Sequence, residues 1–439
     1  MHKEHKTEML YNFITGDEDT RVCKDISEEA CHDQPRNFFA YLGGNLLGKI
    51  ADEIASAKLV IPWIFGALGV PVALTGFLVP IRESGKLLPQ MLVAAIIRKL
   101  PYRKGVWIAG AIMSAVSLFG MALAAFTLEG LPAGIAIIAM LILFSLAEGL
   151  CSVSAKDVLG KTVSKSRRGR LMGLSAGISG IAVLAIGLTM GARNLEPYGI
   201  GVFSALLIGG GLLWLFGAAC FAAIKEQPGA TSGGGNALQV AIQQLSLLVD
   251  DKPFRQFVTA RALLLAIALA PPFYVLLARQ TAEADLKGLG LLIVANGLAA
   301  SLSAPFWGHL GDRSSRTVMA IAAGGAGLLG IFTFAAVQFQ WHWSTGTVGM
   351  ATIFFLLNVM HGGLRLGRKV YLVDMSNAGN RAAYLAISNT VIGLLMLLAG
   401  FIGVIGDILG PAATVCLLGV LSLVAALYAY QLPEVSEPD

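Results

Sequence analysis

Charge is what this sequence has least of. Asp, Glu, Lys and Arg make up 13% of its 439 residues, against 56% in the hydrophobic class. A soluble domain usually carries about 25% charged residues, because its surface faces water. Folding this length as one or two soluble domains would need a solvated surface that the chain cannot supply. Histidine is scarce too, and three of the six lie in the first 32 residues. No histidine cluster for a catalytic metal results, and no histidine beside a nucleophile. The five cysteines, Cys23, Cys31, Cys151, Cys220 and Cys416, lie far apart and mostly inside apolar runs, so no disulfide framework is expected. Cys23, Cys31 and His32 fit no strong metal-ligand spacing. No Gly-x-x-x-x-Gly-Lys-Ser/Thr phosphate loop occurs, which argues against primary active transport. The expectation is a protein that is not an enzyme and holds no cofactor and no metal.

What the chain has instead is long apolar runs and 52 glycines, a composition suited to membrane helices in close contact through small side chains. After a polar tail at 1–38, runs of 18 to 27 residues alternate with short polar breaks. About 20 helical residues cross roughly 30 Å of hydrocarbon. Twelve spans follow: 39–64, 70–97, 105–127, 132–157, 170–190 and 198–223, then 257–278, 287–307, 317–338, 346–367, 382–403 and 409–430. The expected fold class is an all-α polytopic membrane protein of about twelve transmembrane helices, in two six-helix bundles related by an internal repeat. The bundles occupy 39–224 and 257–430, joined by a linker at 225–256 and followed by a tail at 431–439. Within the linker, Gly229 to Gly235 reads as flexible, and Ala237 to Val249 as a stretch along the membrane surface. Pro271-Pro272 should interrupt span seven.

Basic residues set the orientation. Breaks on the side of the N-terminus hold 17 Lys and Arg, whereas the opposite breaks hold only Arg193, Arg279 and Lys287. Both termini are therefore expected in the cytoplasm of a multi-pass protein in the cell (inner) membrane. The net charge of +5 is a topology signal, and no basic stripe on a soluble surface invites nucleic acid.

The two halves echo each other. Ser166-Arg-Arg-Gly-Arg170 precedes span five and Asn377-Ala-Gly-Asn-Arg381 precedes span eleven. Pro101-Tyr-Arg-Lys104 precedes span three and Arg313-Ser-Ser-Arg316 precedes span nine. Both offsets are 211 to 212 residues. Six spans repeated once is a recurring transporter design. Between spans eight and nine, Gly308-His-Leu-Gly-Asp312-Arg313-Ser-Ser-Arg316 resembles the Gly-x-Leu-x-Asp-Arg-x-Gly-Arg loop of the major facilitator superfamily, with Ser315 at the second glycine. The resemblance covers residues 39 to 430. It implies two six-helix bundles around a central cavity, with Asp312, Arg313 and Arg316 latching the cytoplasmic side on closure. The first-half loop, Ile97 to Lys104, lacks the acidic member, for which Asp157 is the candidate substitute. Span five carries Gly173, Gly177 and Gly180 without the proline common in that family's proton-driven exporters.

Ionisable residues inside the spans are the sharpest local signal, since each costs about 2.5–3.5 kcal/mol at the bilayer centre. Lys49 precedes Asp52 and Glu53 by three and four positions, so one helical face can hold both signs. Span two carries Arg82, Glu83 and Lys86, span four Glu148, span seven Arg261, and span ten His361 and Arg365. A carboxylate in apolar surroundings can exchange a proton near neutral pH, which makes Asp52, Glu53, Glu83 and Glu148 the proton-coupling candidates. Lys49, Arg82, Lys86, His361 and Arg365 are the substrate or charge-pair candidates, the arginines offering a donor fork to an anion.

The function this favours is secondary active transport of a small polar or charged metabolite by alternating access, proton-coupled, in either direction. The expected partners are the solute, protons and the lipid bilayer, with a monomer sufficient. A passive facilitator or channel, or a lipid flippase on the same scaffold, is the alternative; the mid-membrane charges favour a polar cavity over an apolar lateral groove.

Overall fold

The computed structural model describes residues 8, 9, 11, 26–88, 93, 97, 99–192, 199–229, 231, 246–281, 286–377 and 380–435. Cys23, Arg98, Arg193, most of the central linker and part of the break before span eleven lie outside these residues. The described residues contain helices and no strand.

Prolines decide where the first two spans break. Span one is α2 (Gln34–Ile54) followed by α3 (Val60–Ala67), preceded by the short α1 (Glu28–His32). Pro62 has no N–H to give the carbonyl of Lys58, four residues back, and its ring crowds that carbonyl. The expected continuous helix is accordingly interrupted over residues 55–59. Span two opens as α4 (Val72–Thr75) and resumes as α5 (Leu78–Leu87), and Pro80 stands in the same relation to Gly76. Four long apolar helices complete the first half: α6 (Lys104–Thr127), α7 (Gly130–Thr162), α8 (Lys165–Ala192) and α9 (Ile200–Ala222).

Within the linker only α10 (Leu247–Asp250) of the expected surface stretch is described as helix. Span seven is α11 (Lys252–Leu263) and α12 (Leu265–Thr281). The expected interruption at Pro271-Pro272 is not found; α12 runs through both prolines, and the helix breaks at Leu264 instead. Residues 265–278 are all buried, so packing on neighbouring helices keeps the segment helical although the carbonyls of Ile267 and Ala268 lose their donors. Then follow α13 (Leu286–Arg313), α14 (Ser315–Gln338), the short α15 (His342–Thr345), α16 (Thr347–Asp374), α17 (Arg381–Ala399) and α18 (Ile402–Tyr430). Span twelve bends at Gly410, whose φ of 86° only glycine adopts readily, just ahead of Pro411. Among the described residues nine helical stretches, α11 with α12 counted as one, are long and apolar enough to cross a membrane, with a shorter apolar one at Ala383–Ala399; the two broken spans bring the number to about twelve.

The repeat is visible in the helix ends. Spans three and nine start at Lys104 and Ser315, and spans four and ten end at Thr162 and Asp374, offsets of 211 and 212 residues. In the first half span six packs on spans three and one; in the second, span twelve packs on spans nine and seven. The halves meet where span five crosses span eight, span two crosses span eleven, and α4 lies on span twelve.

These crossings are tightest at the end opposite the termini, and glycine makes them so. A Cβ on Gly290 would lie 2.7 Å from the carbonyl oxygen of Gly187, and one on Gly76 only 2.6 Å from the Cα of Gly403. Asp407 caps α4 by accepting from the Val72 N–H at 2.9 Å, and Arg279 donates to the carbonyl of Gly66. That end is therefore shut across the two halves.

No disulfide framework is expected from the spacing, yet Cys31 does form a disulfide. Cys151, Cys220 and Cys416 are free.

Candidate functional site

The ionisable residues of spans one, two and four converge into one network. Arg82 is 6% exposed and lies at its centre. It donates to Asp52 Oδ1 at 2.8 Å and pairs with Glu148, while its guanidinium carbon sits 4.1 Å from the centre of the Phe144 ring. Lys86, one helical turn on, holds the other oxygen of Glu148 at 2.6 Å. Asp52 and Glu148 thus share one guanidinium nitrogen, Arg82 Nη2. Lys58, exposed by the Pro62 break, pairs with Glu83 at 3.3 Å. The expected pairing of Lys49 with Asp52 and Glu53 is not formed: among the described residues Lys49 makes no salt bridge. Asp52 turns to Arg82 instead, which satisfies it deeper in the bundle. Glu53 is exposed and acts on Lys58, Arg365, Lys86 and Arg82 through space.

Beside this network a cavity of about 520 Å³ lies between the halves, lined by residues that include Lys58, Glu83, Arg261, His361, Arg365 and Arg368. Its walls run from Ala268 and Met396, deep in the bundle, to Leu372, Val373 and Leu385 near the helix ends on the terminus-bearing side. The cavity thus approaches the side opposite to the sealed one. Arg365, Arg368 and Lys369 share one face of α16 at spacings of three and four residues, and among the described residues none of them makes a salt bridge. His361 is buried at 6% exposure in the same wall. Arg261 reaches Ser388 Oγ at 2.7 Å and Asn389 Oδ1 at 3.2 Å on span eleven. Among the described residues no group of three or more His, Cys, Asp and Glu is placed to hold a metal.

The expected latch residues divide. Asp312 and Arg313 are exposed and make no salt bridge among the described residues. Arg316 is anchored within its own half, 2.9 Å from Glu434, and donates to the carbonyl of Leu432 at 2.8 Å. Asp157 pairs with Arg103 and lies 2.7 Å from Lys161, both in its own half. Sequence reasoning missed Glu226, whose side chain is fully buried. It accepts from the N–H groups of Arg103, at 2.8 and 2.9 Å, and Lys104, at 2.7 Å, at the positive end of α6. Glu434 plays the corresponding part in the second half, accepting from Ser314 Oγ at 2.7 Å at the start of α14.

Also missed as site residues were Lys58, Arg261, Arg368 and Lys369. In the sequence Arg368 and Lys369 read only as two of the 17 topology charges. Their repeat spacing after Arg365 was the signal that one helix face carries three cations.

The family model described as Major Facilitator Superfamily matches residues 265–439. Solved transporters extend the likeness over both halves. The nucleoside transporter NupG superposes with a TM-score of 0.70 at 13% identity, covering 90% of this chain and 99% of that one. A D-xylose-proton symporter gives 0.66 at 14% identity, covering 91% and 98%. A POT family transporter in complex with 5-aminolevulinic acid gives 0.67 at 10% identity, covering 89% and 95%. The second half thus matches that family's model, and the whole chain shares the fold of these transporters. No curated protein sequence matches it. At these identities the solved neighbours establish the fold, and the chemistry of the cavity has to be argued from this chain's own residues.

Proposed function

We propose that this protein is a secondary transporter of small organic anions, coupled to protons and working by alternating access. The observation that carries the reading is the charge of the cavity wall. Lys58, Arg261, Arg365, Arg368 and Lys369 stand against one carboxylate, Glu83. Cations at membrane depth are costly and persist where they line water or meet an anion, and the protein's own carboxylates leave this wall in positive excess. A cavity of about 520 Å³ falls in the usual range for small ligands, roughly 300–1,000 Å³.

Coupling follows from Asp52 and Glu148. Two carboxylates gathered on one guanidinium nitrogen repel each other, and a proton taken up by either relieves that repulsion. With that proton the group Asp52, Glu148, Arg82 and Lys86 carries one net positive charge; without it the group is neutral. Protonation therefore favours the anion and the anion favours protonation, which links the two in symport. Glu83, paired to Lys58 and facing the cationic wall, serves as the fixed counter-charge. With both termini in the cytoplasm, the sealed end faces outward and the cavity inward.

The test is uptake into proteoliposomes under an imposed pH gradient, with labelled anionic, neutral and cationic probes compared. Anions alone should accumulate, and acidification of the source side should speed them. Accumulation of glucose or choline with no anion uptake would sink the reading.

A further inference from the structure

Among the described residues Arg261 is a buried cation without a counter-ion. It is 9% exposed, and both protein groups that hold it, Ser388 and Asn389, are neutral. A guanidinium offers five N–H donors; two are used here, and its Nε has no partner among the described residues. The charged group that acts on it most is Arg368, another cation. Phe257 lies under the guanidinium, 5.8 Å from its carbon to the ring centre. Leaving a buried charge unpaired is costly, whereas a carboxylate or phosphoryl group can accept two parallel bonds from the free edge of such a fork. Ser388 and Asn389 then act as a frame that fixes the guanidinium plane.

The surroundings also say what should be attached to that acidic group. One to two turns deeper on the same two helices, Leu265 and Ala268 of span seven meet Ile392 and Met396 of span eleven. They form a separate apolar cluster, with Ala262 packed beside it. Ala268, Ile392 and Met396 line the cavity directly, with Leu87 of span two. The cationic wall and this apolar floor lie in one space.

We infer that Arg261 is the anchor for the acidic group of an amphipathic organic acid, whose apolar body lies on Ala268, Ile392 and Met396. The acid group points toward the terminus-bearing end, between Arg261 and Arg368, and the apolar part is buried deeper. This rests on the anion-transport reading and sharpens it, since a cationic wall alone would serve hydrophilic polyacids equally well. Each methylene buried on such a floor strengthens binding about fourfold, so the floor discriminates between short and long acids.

The experiment is equilibrium binding to the purified full-length protein, with acetate, succinate, 3-phenylpropionate, its amide and 3-phenylpropyl phosphate as probes. The wild type should hold 3-phenylpropionate at least 30-fold more tightly than acetate, succinate or the amide. The relative affinity of the phosphate tells carboxylate from phosphoryl recognition. Arg261→Gln should reduce the preference for the acid over its amide to under threefold, and Arg261→Lys should fall between, keeping the charge but losing the fork. Met396→Asn should erase the advantage over acetate while keeping the preference for acid over amide. Thermal unfolding without ligand checks that each variant folds; Arg261→Gln should unfold no lower than wild type, since it removes an uncompensated charge. Tighter binding of succinate, or an acid preference that survives Arg261→Gln, overturns the Arg261 anchor and leaves anion transport standing. Binding of the amide with none of the acids overturns both.

Discussion

Glu226 and Glu148 show two different uses of a buried carboxylate. Glu226 accepts backbone N–H groups at the start of α6 and lies 3.2 Å from Lys161, which is the work of a cap. Replacing it by Ala leaves those donors without partners, at a cost of about 1–3 kcal/mol, so the melting temperature in detergent should fall while the affinity for substrate holds. Glu148 shares Arg82 with Asp52 and takes Lys86 on its other oxygen, an arrangement whose net charge changes with one proton. Glu148→Gln should keep exchange of anion for anion but lose the response to an imposed pH gradient; an unchanged response would remove Glu148 from the coupling step. At this scale the sequence was informative about which residues carry charge into the membrane, since an ionisable side chain in an apolar run stands out by its cost alone. It was silent about partners. Lys49 was matched to Asp52 by spacing within one helix, but Arg82 reaches Asp52 from 30 positions away. Glu226 looked like part of a polar linker because nothing in its neighbours reveals a helix start 122 residues earlier.

Prolines and glycines govern the elements. Pro62 and Pro80 each break a helix four residues upstream, and the first break places Lys58 in the cavity wall. Pro62→Ala restores an N–H for the carbonyl of Lys58, so α2 and α3 should join, Lys58 should leave Glu83, and transport should slow at least tenfold. The readout is the initial rate in proteoliposomes; a rate within twofold of wild type would show that the break is mere packing. The positions of apolar spans were legible because a crossing helix needs about 20 apolar residues. The breaks were less so, because the same proline chemistry gives opposite outcomes by context: Pro62 ends a helix, while Pro271 and Pro272 sit inside one whose residues 265–278 are all buried. Tertiary packing, which no local pattern reports, makes that difference. Between elements, Gly290 and Gly187 let spans five and eight touch backbone to backbone. Gly290→Val has no room at 2.7 Å from a carbonyl oxygen, so it should pry the sealed end apart and raise the reactivity of a cysteine introduced at Ile293 toward a membrane-impermeant thiol reagent.

The whole molecule is two similar halves closed at one end, with a cationic cavity reaching toward the other. Each half carries its own acidic residue after its last span, Glu226 and Glu434, fixed to the start of its third helix. These bonds stay within a half, so each half can move as a unit while the crossings at spans two and eleven, and five and eight, change. Asp312 and Arg313 are exposed at the terminus-bearing end. Two halves and their offset were readable from loop residues alone; the cavity between them was not, because its wall joins residues from spans one, two, seven, ten and eleven that only the packing brings together.

Alternating access with an anion in this cavity requires that one anion's passage speed another's. The measurement is entry of labelled 3-phenylpropionate into proteoliposomes preloaded with the same acid unlabelled, at equal pH on both sides. A carrier that must reorient its cavity returns faster when loaded, so preloading should accelerate entry several-fold, and preloading with the neutral amide should not. Entry at the same rate whether the vesicles are preloaded or empty would contradict alternating access with an organic anion in this cavity.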